Sequence, residues 1–140
     1  MTYQGMTGQG TTAVLTTNAI TGCVRSLTLP ELTQDKIDAS CLDTTGFMKY
    51  IPGDLTDPGE CSLEIIFDPT FDFDAIVGVL DTLTITFALG TSTNTNAATL
   101  IGTGFITSYG LPDLSTNNLA VVSVNFAFDG QTGPAFTVES

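Results

Sequence analysis

The stretch that decides the fold is Leu42-Asp43-Thr44-Thr45-Gly46-Phe47-Met48-Lys49-Tyr50-Ile51-Pro52-Gly53-Asp54-Leu55-Thr56-Asp57-Pro58-Gly59. Runs that alternate apolar and polar residues stand on both sides of it, at 35–42 and 60–68. Alternation with period two is the pattern of a half-buried strand. Residues 43–59 therefore read as a loop of about 17 residues joining two neighbouring strands, where compact domains mostly use about 4–6. Loops of that length are functional or disordered, and the composition argues against disorder. Phe47, Met48, Tyr50, Ile51 and Leu55 need burial, and one small sandwich has no evident place for them. A neighbouring subunit has, since interface cores favour aromatic residues and Met. These five side chains are the candidate inter-subunit contacts.

Working outward, residues 11–17 and 20–29 read as two strands joined at Asn18-Ala19, with Pro30 stopping the second. In the third strand, 35–42, Ile37, Ala39 and Cys41 alternate with Lys36, Asp38 and Ser40, which gives an apolar and a wet face. The fourth, 60–68, is the cleanest. Cys61, Leu63, Ile65 and Phe67 point one way and Glu60, Ser62 and Glu64 the other, until Pro69 ends pairing. Residues 72–80 carry Phe73, Ile76, Val77 and Leu80 at helical spacing, behind Asp72 and Asp74 as capping acids. That predicts one short helix covering an opening of the sandwich. Further strands follow at 82–89, at 99–109 with a bend at Gly102 and Gly104, at 119–129, and at 135–138. The expectation is all-β with one short helix, a two-sheet β-sandwich or barrel in a single domain over 1–140. Residues 1–10 contain Gly5, Gly8 and Gly10 and read as an N-terminal arm that a neighbour could pin.

Composition supports this. Charged residues are only 13% of the chain, and 25 threonines fill the gap; Thr favours strands through its branched Cβ. Net charge is −12, and twelve of the fifteen acids lie between Glu31 and Asp81. That excludes ordinary nucleic-acid binding, which needs a basic footprint, and argues against anionic membranes. The plainer reading of the acids is a solvated face. With no His, a histidine triad or a His metal site is excluded. No signal-peptide core and no 18-residue apolar span is present. Cys23, Cys41 and Cys61 form no close pair and read as buried, reduced thiols made in a cytosol.

Chemistry finds little support. Glu60 and Glu64, four apart on one strand, stand ~13 Å apart at ~3.3 Å per residue, too far for a glycosidase pair. The acids from Asp68 to Asp74 are spaced like a calcium loop but lack its Gly turn and bidentate Glu. Gly102-Thr103-Gly104 has no Lys behind it and reads as a bend, not a nucleotide loop. No enzyme, no cofactor and no metal is expected.

The ordered set is specific where its parts are not. An acidic strand from Asp38 to Asp43, Gly46-Phe-x-x-Tyr-Ile-Pro-Gly, Asp57-Pro-Gly-Glu and a strand ending Phe67-Asp68-Pro69 resemble the tail tube (major tail) proteins of long-tailed bacteriophages. The resemblance covers nearly the whole chain. It implies a two-sheet fold with one flanking helix, six copies in a ring, and rings stacked into a tube for DNA ejection. It implies tape measure and tail terminator proteins as partners, and a place in the virion after synthesis in the host cytoplasm. DNA would pass the lumen without specific binding, and no membrane binding is implied. In the family the long loop and the N-terminal segment reach the next ring, here residues 43–59 and 1–10. The C-terminal decoration domain of many members is not expected. For the bore, alternation selects the polar face carrying Glu60 and Glu64, with Asp38 from the preceding strand; the same faces could instead be exterior. Two alternatives stay open: a tail-completion or baseplate-hub ring of the same fold, and a monomeric β-sandwich binding module.

Overall fold

The computed structural model describes residues 8–17, 23–90 and 94–140. The strands are β1 (Thr12–Leu15), β2 (Val24–Thr28), β3 (Thr33–Asp38), β4 (Tyr50–Asp57), β5 (Glu60–Ile66), β6 (Leu80–Thr86), β7 (Thr99–Gly110), β8 (Val121–Phe128) and β9 (Ala135–Thr137). Seven of them form one sheet in the order β1-β6-β7-β8-β5-β2, with β9 pairing β7. All its pairings are antiparallel. β3 and β4 form a second, two-stranded sheet. The all-β, two-sheet expectation holds, with very unequal sheets. Most of the N-terminal arm and the Asn18-Ala19 turn lie outside the described residues.

The large sheet is built by period-two patterning. Cys61, Leu63 and Ile65 of β5 stand opposite Phe126, Val124 and Val122 of β8, and all six are buried. Leu83 and Ile85 of β6, Leu100 and Ile106 of β7 and Leu15 of β1 complete the cluster, with Val24 and Leu27 of β2 packed against it. One strand after another thus contributes to a single core on one face. β1 and β2, the two ends of the strand order, line one cavity together. The sheet has curled around its own core without closing. The bend expected at Gly102 and Gly104 is a close approach of backbones: a Cβ on Gly104 would lie 2.0 Å from the Ala127 carbonyl oxygen.

Two element readings change. Residues 72–80 form only a 3-10 turn, Phe73–Ala75. The helical stripe was real in spacing, but Gly78 takes φ +79 and Ile76, Val77 and Val79 are β-branched. Too few residues remain to offset the nucleation cost of a helix. Ile76 alone of the stripe is buried, while the Phe73 ring stacks on Tyr109 at 4.9 Å. The second change is in the long loop, whose latter part is strand β4. Pro52 is tolerated because β4 pairs only with β3 and has a free edge.

Candidate functional site

The hairpin β3–β4 is a unit set apart. Its strands contact each other and little else. Ile37 stands directly across from Ile51, and Asp38 across from Tyr50. The Lys36 ammonium lies 4.3 Å from the Tyr50 ring centroid, and the Tyr50 hydroxyl donates to Met48 Sδ at 3.5 Å. The connecting turn is fastened by its own hydrogen bonds. Cys41 N–H donates to Thr44 Oγ1 at 2.7 Å, and Lys49 N–H to Ser40 Oγ at 2.8 Å. Gln34 Nε2 donates to the Gly53 carbonyl across the strands. At the root, Gly59 has φ +78 and passes so close to Glu31 that a Cβ would sit 2.6 Å from its carbonyl oxygen. Only glycine fits there without strain.

All five sequence-predicted contact residues lie here and all are exposed, Phe47 at 93% and Leu55 at 84%. Ile37 and Leu42 join them, although Ile37 and Cys41 read as inward-facing in sequence. Among the described residues, no second layer covers them. A two-stranded hairpin is marginal on its own in water; this one exposes apolar side chains on both faces, since Tyr50 and Ile51 are consecutive in β4.

The three candidate bore acids are divided. Glu60 and Glu64 stand exposed on the outer, polar face of β5. Asp38 stands on the hairpin, in the other sheet. Its carboxyl accepts the Ser40 N–H at 2.9 Å, and the Ser40 backbone and hydroxyl hydrogen bonds hold it below the usual carboxylate range. Around the two glutamates runs a polar ladder. Ser26 Oγ donates to Glu64 Oε2 at 3.1 Å, Ser62 Oγ to Asn125 Oδ1 at 2.8 Å, and Asn125 Nδ2 to Ser108 Oγ at 2.7 Å. Val122, Val124, Phe126 and Phe128 alternate with Ser123, Asn125 and Ala127, so the polar face of β8 is legible in the sequence, while its cross-strand partners depend on the strand order.

Cys61 is buried as expected; Cys23 and Cys41 are exposed, because they lie outside the packed strands. Burial pushes the Cys61 thiol up to about 11. An unfolded thiol ionises near pH 9.0, so the raised folded value contributes stability below that pH. The contribution is lost between about pH 9 and 11, at up to ~1.4 kcal/mol per pH unit. A thiol reagent should modify two of three cysteines in the native protein and the third only in denaturant. Cys61→Ala should remove its share of the alkaline destabilisation. Among the described residues, no group of three or more Cys, Asp or Glu is arranged to hold a metal. Among the same residues, no helix is long and apolar enough to cross a membrane.

The family model for the lambda-like phage tail tube, TTP, matches residues 6–119. The chain belongs to the phage tail tube family. It is a structural protein and not an enzyme. No curated protein matches it by sequence. Among solved structures it is similar to the sheath/tube terminator of PVC, an extracellular contractile injection system, at 17% identity and TM-score 0.69. That match covers 90% of this chain and 94% of the other. A chain of the PVC sheath-tube complex matches at 17% identity and TM-score 0.64, over 85% and 84% of the two chains. The anti-feeding prophage cap, a tube-terminating cap, matches at 19% identity and TM-score 0.68, over 95% and 94%. At these identities the likeness shows a shared fold.

Proposed function

We propose that six copies of this chain close into a ring and that rings stack into a tail tube, the conduit through which DNA leaves the virion. One observation carries the reading: a hairpin that pairs with no other described strand and leaves its apolar side chains exposed. A second copy is the economical cover for it, and family membership makes that copy a tube subunit. Residues 43–59 are the contact to the next ring, with Phe47, Met48, Tyr50, Ile51 and Leu55 at its centre. The arm 1–10 shares the task. The polar face of β5 lines the bore, where Glu60 and Glu64 repel DNA and keep it from sticking. Screening over ~8 Å limits this to acids at the wall. Asp38, on the hairpin, serves the contact between copies better than the bore. Tape measure and tail terminator proteins complete the assembly, made in the host cytoplasm and carried in the virion.

The likeness to terminator and cap structures supports a second reading, a single ring that ends a tube. Negative-stain electron microscopy of the purified protein at several concentrations separates the two. Hollow tubes of stacked rings are expected. Single rings would favour the terminating ring, and monomers at every concentration would count against self-assembly.

A further inference from the structure

The hairpin needs a receiving surface, and the curled sheet leaves one. Between the free edges of β1 and β2 lies a cavity of about 610 Å³, within the ~300–1,000 Å³ of ordinary binding pockets. Ala13, Val24, Leu27, Leu29 and Phe87 supply an apolar lining, and Arg25 stands at it. Arg25 falls at the register irregularity in β2 between Val24 and Ser26. It is exposed, and among the described residues it has no ion-pair partner.

Charge makes this position singular. The chain has three cations: Lys36 and Lys49, which belong to the hairpin unit, and Arg25, the one cation outside it. The hairpin carries Asp54 and Asp57 on either side of exposed Leu55. An acidic, apolar segment docking on the body of this chain therefore has one cation to meet, and it stands beside an apolar cavity. The hairpin of the same copy does not fill this groove: none of its residues lines it, and Leu55 stands exposed.

We infer that the β1–β2 groove receives the β4 segment around Leu55 of a second copy, with Arg25 pairing to Asp54 or Asp57 of that copy. This rests on the tube reading above and names the receiving half of its contact. Hairpin and groove are different surfaces, so the contact is heterologous, and where its operation does not close it propagates from layer to layer, as a stacked tube requires.

The test is a charge exchange read by sedimentation and negative stain. Arg25→Glu should reduce sedimentable particles by more than ~10-fold, since like charges across an interface cost several kcal/mol. Asp54→Lys with Asp57→Lys should do the same. Neither variant assembles alone, but an equimolar mixture should, because each groove then meets a hairpin of opposite sign. The triple variant should also assemble. Co-assembly shows too that both variants are folded. Undiminished assembly of Arg25→Glu overturns the inference, as does a mixture that stays dispersed while wild type assembles. If wild type itself forms no particle, it is the tube reading that fails.

Discussion

Leu55→Glu combined with Phe47→Ser leaves the monomer folded and abolishes assembly. Both side chains are among the most exposed apolar residues of the chain, and neither belongs to the core cluster. Substitutions at such positions usually change stability by within ~0.5 kcal/mol. In the contact proposed above, the same atoms sit among apolar neighbours. There an added carboxylate is desolvated beside Asp54 and Asp57, which already claim the single cation Arg25, and losing a central anchor typically costs ~2 kcal/mol or more. Two anchors in every subunit contact multiply through the particle. The unfolding midpoint by circular dichroism should match wild type, while sedimentation shows only the single-copy species. Tubes at the wild-type concentration would mean that the hairpin is not the contact.

Phe126→Ala has the largest expected effect on stability, ~3–5 kcal/mol. The ring is fully buried, meets Phe128 edge to face at 5.3 Å, and borders the close β7–β8 approach at Gly104. Truncation leaves a void that backbone already this close has little freedom to fill. Domains of this size are stable by only ~5–15 kcal/mol, so a large part of the margin is lost. Chemical denaturation should show a lower midpoint with an unchanged slope. A loss below ~1 kcal/mol would mean that the core relaxes around the gap.

Much of the fold was legible because it rests on period-two patterning. Cys61, Leu63 and Ile65, then Leu83 and Ile85, then Val122 to Phe128 announce their strands and their buried face directly. Legibility failed where a local pattern conflicted with its surroundings. Pro52 and Gly53 broke the alternation in β4, so a free-edged strand read as loop. The stripe Phe73, Ile76, Val77, Leu80 imitated a helix that Gly78 does not permit. Cys41 and Ile37 alternated as if for a core, but the hairpin meets no second layer among the described residues. Strand order was beyond reach altogether. β5 and β6 are consecutive and do not pair, while β1 and β2 meet across a groove only because the whole sheet curls. Of the candidate site, the five loop side chains were read from composition alone. Arg25 was not, since its place beside that groove exists only after folding.

The most direct test of the account is a three-dimensional reconstruction of the assembled particle at side-chain resolution. It should show the β3–β4 hairpin of each copy buried against a neighbouring copy, with Phe47 and Leu55 removed from solvent. A particle whose layers join elsewhere, with the hairpin projecting free, would contradict it.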